Sequence, residues 1–275
     1  MSYVFFKDRF LPEEECRVSI HDRSFRFGDG IFETLLVYNS RIYRFPHHLE
    51  RLKNGLSAAK IALDISLLEK LCHELIAKNT LKEGYLRIVV SRGENGPGAI
   101  GYLPKDAKPY FLIQSMEKPY PAFREINLWR SSQVASQHSP SKTNNALLYT
   151  LAMMEAEEQG CDNALLLNHE GIITETASGN LFWVKDGVLF TPSRDLPLVP
   201  GTMRRRVLEL WDGAKQEGHF SLEALQLADE IFMTNIGHIV ASVTEIRPLN
   251  LTFKTGQRTR ELRKLLDQDI FIACA

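Results

Sequence analysis

The chain is poor in most of the features that mark specialised protein classes. It holds four cysteines in 275 residues, Cys16, Cys72, Cys161 and Cys274. No two form a Cys-x-x-Cys pair and none stands at metal-ligand spacing from a histidine, so neither a disulfide framework nor a metal site is expected. They fit reduced thiols of a cytoplasmic protein, serving as small apolar residues. No run of about 18 apolar residues occurs, which leaves out a membrane-spanning helix. The opening "MSYVFFKDRFLPEEE" lacks the basic, apolar and small-residue order of a secretory signal. A net charge of -1 gives no electrostatic basis for nucleic acid or an anionic membrane as partner. Repeats and low-complexity stretches are missing too. What remains, 44% hydrophobic and 24% charged residues, is the composition of an ordinary globular enzyme or binding protein of one large or two medium domains.

The periodicity changes several times along the chain. "IFETLLVYNSRIYRF" reads as strand, Asn-Ser turn and strand. From Pro46, "PHHLERLKNGLSAAKIAL" takes helical spacing, and "SLLEKLCHELIAKNT" repeats it. "GYLRIVVSRG" and "PYFLIQSM" return to strand, separated by the Gly- and Pro-rich loop "GENGPGAIGYLPKDAKP". The Pro-containing stretch "EKPYPAF" predicts a boundary between residues 1–117, a smaller α/β domain, and residues 118–275, a larger one. The second half opens with "EINLWRSS" and a long amphipathic helix after Lys142. A β-rich block with an Asp186-Gly187 turn follows, then a helix after Pro200-Gly201, further strands and a polar C-terminal helix. The fold class expected is α+β, mixed sheets with flanking helices in two domains.

Several groups stand out for chemistry. Lys142, in "SPSKTNNALL", is placed at the start of a helix, where the positive end of the dipole disfavours an ammonium; a solvated surface lysine or a nucleophile both fit. In "LVPGTMRRRVLEL", Gly201 precedes a helix whose first N–H groups lack intrahelical partners. Arg204, Arg205 and Arg206 crowd its first turn, and a bound anion would account for both features. In "GIITETASGNLFWV", Glu175 is followed by Thr176, Ser178, Gly179 and Asn180, a composition that suits a loop approaching a ligand or an exposed polar turn. In "FPHHLERL", Arg51 shares a helix face with His48. Lysine, carboxylate, anion-binding helix start and a further arginine together make the set that a pyridoxal phosphate enzyme requires.

Those motifs, in the order "DRSFRFGDGIFETLLVYN", "HHLERL", "LRIVVSRG", "KTNNALL", "EGIITETASGNLFWVKDGVLFTP" and "PGTMRR", span nearly the whole chain. The sequence resembles the fold-type IV pyridoxal phosphate enzymes, or class IV aminotransferases. These include branched-chain and D-amino acid aminotransferases and aminodeoxychorismate lyases. The resemblance implies a homodimer with active sites near the interface, acting on a small amine or amino acid. It implies that the C-terminal domain carries the Schiff-base lysine and most of the cofactor site. Lys142 would bond the pyridoxal 5'-phosphate aldehyde and shuttle the proton, and Glu175 would hold the pyridine nitrogen protonated. Arg51, Ser178 and the N–H groups of Thr202 and Met203 would hold the phosphate, although Met203 has no hydroxyl to offer.

Details of the motifs point toward the lyase of folate synthesis, which releases pyruvate and 4-aminobenzoate. The chain has "FET" at Phe32-Glu33-Thr34 where branched-chain enzymes carry "FEG", and "MR" after the phosphate glycine. Leu147 stands where those enzymes often have a tyrosine. Against a D-amino acid aminotransferase, Phe32 replaces the substrate-binding tyrosine, and Gly98 and Ile100 replace an Arg-x-His pair. Many lyases carry an arginine in "GGRGY" where this chain has Ile100 in "GAIGY", so the two carboxylates of the lyase's substrate need another cation, and Arg26 is the candidate. Aminotransferases of D- or branched L-amino acids stay open as alternatives, with a non-catalytic cofactor-binding homologue disfavoured by the retention of Lys142 and Glu175.

Overall fold

The computed structural model describes residues 2–96, 101–136 and 141–275. The chain divides into two compact units: Met1–Tyr120 with Ser141–Asn145 and Ile270–Ala275, and Pro121–Pro140 with Ala146–Asp269.

In the first unit, strands β1 (Tyr3–Phe6), β2 (Arg9–Pro12), β3 (Gly30–Tyr38), β4 (Arg41–Ile42), β5 (Gly84–Ser91) and β6 (Tyr110–Glu117) form one sheet in the order β2-β1-β6-β5-β3-β4. The expected hairpin is there: Asn39 and Ser40 both take left-handed backbone angles between β3 and β4, as a tight two-residue turn requires. Helices α1 (Arg23–Phe27), α2 (Phe45–Ala58) and α3 (Leu68–Lys78) complete the unit. The short α1 falls in a region that reads as strand and turn. Its Asp22 accepts from the Phe25 N–H at 2.9 Å and Gly28 closes it at φ +66°, local capping that hydrophobic periodicity does not report.

Alternate residues of β3 and β5 serve two faces, since side chains switch sides at every step. Ile31, Leu35 and Val37 join Leu86, Ile88 and Val90 in the core under α2 and α3. Phe32, Thr34, Arg87 and Val89 occupy the opposite face, with Phe32 paired to Val89 and Thr34 to Arg87.

The second unit is built on β7 (Arg124–Val134), β8 (Asn163–Leu167), β9 (Ile173–Thr176), β10 (Asn180–Lys185), β11 (Val188–Pro192), β12 (Lys215–Gly218), β13 (Glu230–Thr234), β14 (Ala241–Arg247) and β15 (Leu251–Thr252). Their order is β12-β11-β10-β13-β14-β7-β8-β9, with β15 on β14. The pairs β7–β8, β7–β14 and β11–β12 are parallel and the rest antiparallel. Helices α4 (Leu147–Glu158), α5 (Thr202–Leu210), α6 (Glu223–Gln226) and α7 (Gln257–Ala273) accompany this sheet in the chain. The sum is α+β with mixed strand pairing.

Lys142 departs from its expected place in two ways. It precedes the first residue of α4 by five positions, so the helix dipole does not bear on it. It also belongs to the first unit and not to the C-terminal one. The reason is backbone pairing: the Phe32 N–H donates to the Lys142 carbonyl at 2.8 Å, and the Asn144 N–H to the Gly30 carbonyl at 2.9 Å. A bridge between Ile31 and Thr143 joins them. Two glycines make room for this return. A Cβ on Gly28 would lie 2.7 Å from that of Asn145, and one on Gly30 would lie 2.1 Å from the Val90 carbonyl and 2.3 Å from Asn144 Nδ2.

Gly30→Ala should therefore lower stability by about 2 kcal/mol or more. The check is a urea titration, in which the midpoint drops; an unchanged midpoint would mean that the strand ends part at no cost.

Candidate active site

The first unit gathers a charged cluster around Glu33, one of its most deeply buried residues at 1% exposure. Glu33 points to the core face, where α2 meets it. The helix buries Phe45, His48, Leu52, Gly55 and Leu56 along one stripe, so His48 is carried inward with the apolar residues and Arg51 follows three positions later. Arg51 grips the carboxylate through two bonds, Nε to Oε1 and Nη2 to Oε2, both 2.7 Å. His48 Nδ1 lies 2.8 Å from Oε2. Burial by itself would raise the Glu33 carboxyl, but the Arg51 charge and the hydrogen bonds of Arg51 and His48 outweigh it and bring it down to about 2. Burial lowers His48, against the pull of Glu33, and the Arg51 and Lys142 charges lower it further. A neutral His48 with its proton on Nδ1 donates to Glu33.

Lys142 Nζ stands 4.2 Å from the centre of the ring of Phe32, the residue before Glu33 on β3. The Arg87 guanidinium lies at the same 4.2 Å from that ring. Arg87 is half-buried, burial pushes it below the ordinary arginine value, and no carboxylate among the described residues pairs with it. A desolvated cation without an anion is costly, and a bound anionic group would relieve it. Arg87 was not among the sequence candidates. Its signal was present all the same, as the arginine in the interior of the apolar strand "GYLRIVVS".

Arg26, the expected substrate cation, is exposed on α1 with its guanidinium 5.1 Å from the Phe27 ring. The run "DRSFRFGDG" serves structure: Asp22 accepts from Ser91 Oγ at 2.6 Å and Tyr110 OH at 2.9 Å, while Asp29 binds Arg23 and Arg92. Gly98 and Ile100 lie outside the described residues.

The second unit holds the other candidates. Glu175 on β9 is 2% exposed. Tyr149 OH donates to its Oε1 at 2.8 Å and the Val199 N–H to its Oε2 at 3.0 Å. The Val199 carbonyl in turn accepts from Asn180 Nδ2 at 2.8 Å, and a Cβ on Gly201 would lie 2.2 Å from Asn180 Oδ1. Glu175 is thereby tied to the segment that leads through Pro200 and Gly201 into α5. Gly201 caps that helix without a side-chain hydrogen bond. An acid and a helix start held together suit a ligand that has a basic nitrogen at one end and a phosphate at the other. Ser178 is exposed; its Oγ accepts from Asn163 Nδ2 at 2.6 Å, and Asn235 Nδ2 donates to its carbonyl at 3.0 Å. Thr202 and Met203 are buried at the start of α5.

The three arginines after Met203 do not await an anion. Arg204 donates to Glu217 and the Pro192 carbonyl, Arg205 to Glu209, and Arg206 to Asp269 and Glu209. Glu209 answers Arg205 and Arg206 from within the helix, while Glu217 and Asp269 come from outside it, where local spacing does not disclose them. Among the described residues no cluster of metal-ligating side chains occurs and no helix is long and apolar enough to cross a membrane.

The model of the family described as amino-transferase class IV matches residues 30–246. The chain belongs to that family. Among class IV relatives, the D-alanine aminotransferase of Bacillus licheniformis is 30% identical over 88% of each chain. A branched-chain amino acid aminotransferase of T.th., solved with N-(5'-phosphopyridoxyl)-L-glutamate, superposes with a TM-score of 0.88 at 26% identity, covering 97% of this chain and 93% of that one. A Legionella pneumophila protein provisionally named 4-amino-4-deoxychorismate lyase gives a TM-score of 0.84 at 26% identity, covering 92% and 96%. The class IV match begins at Gly30, where β3 opens, and includes Glu33, Arg51, Arg87, Lys142, Glu175 and Thr202.

Because the folded value of Glu33 lies below the unfolded one, its contribution to stability is complete above about pH 4.5 and drains away as the pH falls toward about 2. Glu33→Gln should cost about 3 kcal/mol at pH 7, since it strands Arg51. Urea midpoints between pH 7 and 3 check this: the wild-type advantage over the variant should shrink with acid, and a constant gap would contradict it.

Proposed function

We propose that this enzyme uses pyridoxal 5'-phosphate to transaminate a primary amine that bears a carboxylate, an amino acid. The observation that carries the substrate class is Arg87, a half-buried guanidinium with no carboxylate partner among the described residues, on the same aromatic ring as Lys142 Nζ. The aminotransferase relatives, one of them solved with a phosphopyridoxyl-glutamate, support the reading. The cofactor, when bound, supplies an aldehyde for the amine and a protonated ring that draws electrons from the bond being broken.

In this assignment Lys142 would hold the cofactor through its aldehyde, and its amine would carry the proton to and from the substrate Cα. Phe32 keeps its Nζ over an aromatic face, which favours a cation without neutralising it. Glu175 would hold the proton of the pyridine nitrogen. Arg51, held rigid by Glu33, and the N–H groups of Thr202 and Met203 would take the phosphate, with Ser178 as an added hydroxyl. Arg87 binds the substrate carboxylate; Arg26 is a candidate for a second one. The assembly is a homodimer: α4 exposes Leu147, Leu151 and Met154, spaced to share one face that a second copy would cover. A cytoplasmic setting suits the free thiols of all four cysteines.

A second reading, lysis of aminodeoxychorismate in folate synthesis, is favoured by the likeness to the Legionella protein and by the "FET" and "TMRR" motifs. Its substrate also carries carboxylates, so Arg87 serves either reaction.

The purified protein, supplied with pyridoxal phosphate, should show a visible absorption band that Lys142→Ala lacks. D-alanine, L-leucine and L-glutamate are then added in turn. Conversion to the pyridoxamine form by one of them establishes transamination, and Arg87→Leu should lower kcat/KM for that donor by about a hundred-fold. A band that no donor bleaches, with pyruvate released from aminodeoxychorismate, would favour the lyase. No band at all would overturn the Lys142 assignment.

A further inference from the structure

Glu175 is not held by its strand alone. The helix α4 buries Ala152 and Ala156 against Cys161, Ala164, Leu166 and Ala177, and Tyr149 packs at the edge of that cluster. Tyr149 lies three residues before Ala152 and so shares its face. Leu166 is the cross-strand neighbour of Glu175. Packing of the small alanines thus delivers one phenol to one carboxylate oxygen, at 2.8 Å, while the Val199 N–H takes the other.

We propose that Tyr149 is a positioning residue that sets the basicity of Glu175. This rests on the reading that Glu175 faces the pyridine nitrogen. A carboxylate that receives hydrogen bonds is stabilised as the anion and becomes a weaker base. With Tyr149 OH on Oε1, Glu175 leaves the shared proton on the ring nitrogen, where it makes the ring an electron sink. Without that hydroxyl, Glu175 draws the proton toward itself and the sink weakens. The Val199 N–H keeps the carboxylate in place in either case, so the effect of the phenol is on proton affinity more than on orientation. The phenol ring packs in the cluster through its carbon face, which phenylalanine reproduces.

The experiment compares wild type, Tyr149→Phe and Glu175→Gln, each reconstituted with pyridoxal phosphate labelled with 15N in the ring. The ring-nitrogen NMR shift is measured, together with kcat and KM for the best amino donor and with the melting temperature. Wild type should give the protonated shift and Glu175→Gln the neutral one. Tyr149→Phe should fall between them, with kcat reduced by about ten-fold, as expected for one hydrogen bond to a charged group. KM for the donor should stay within about two-fold, because the change acts in the transition state. A Tyr149→Phe shift equal to wild type, while Glu175→Gln moves to neutral, would overturn the role of Tyr149 and leave that of Glu175 standing. The same holds if Tyr149→Phe lowers only the melting temperature. A Glu175→Gln shift that stays protonated would overturn the reading of Glu175 itself, and the inference with it.

Discussion

A carboxylate taken out of water must have both its oxygens answered by donors, and in this protein two such carboxylates organise their surroundings. Glu33 is answered by charge: one guanidinium in a two-bond grip and one imidazole. That requirement dictates the register of α2, because only a helix that turns His48 inward can also bring Arg51 to the same carboxylate. It also fixes β3, since a slip by one residue would put Glu33 on the other face and Phe32 into the core. Glu175 is answered by a phenol and a backbone N–H. That requirement binds α4 and the segment before α5 to the end of β9.

The two halves of the chemistry depend on close backbone approach as much as on charge. Gly28 and Gly30 admit the segment that carries Lys142, and Gly201 lies against Asn180 so that α5 starts beside the partners of Glu175. At each of these points a Cβ would meet a backbone or side-chain atom well inside contact distance. Small residues are therefore placed where chain segments cross. The candidate side chains sit close by on elements that these crossings hold still.

Much of this was legible in the sequence, and the parts that were not share a cause. The hairpin at Asn39-Ser40, helices α2 and α3, strand β5 and the start of α5 after Gly201 all rest on local pattern and turn chemistry. Lys142 was singled out, but its setting was not, because the bond from Phe32 to its carbonyl joins residues far apart in the chain and leaves no periodicity. Arg204 to Arg206 resembled an anion site for the same reason: Glu217 and Asp269 answer two of them from elsewhere in the chain. Arg87 escaped notice because an arginine in a strand ordinarily points to water. Its half-buried state follows from which residues surround it, a tertiary property.

Alternation along β3 and β5 explains how one pair of strands serves stability and chemistry without conflict. The core face holds Glu33 among Ile31, Leu35 and Ile88, and the cost of burying that charge is offset locally by Arg51. The other face presents Phe32 and Arg87, and here the described residues leave a cation unanswered. The two arginines are matched in charge and differ in partners: Arg51 grips a buried acid, whereas Arg87 has a ring for a neighbour and no acid among the described residues. A face built for stability alone would pair Arg87 or replace it with an apolar residue, since a half-buried guanidinium gains nothing from Val89 nearby on the same face. Arg87 lies beside the ring that also holds Lys142 Nζ, and under the proposed function the missing anion is the substrate carboxylate. Under the proposed function, the choice among amines is made on the half-exposed face of the smaller sheet.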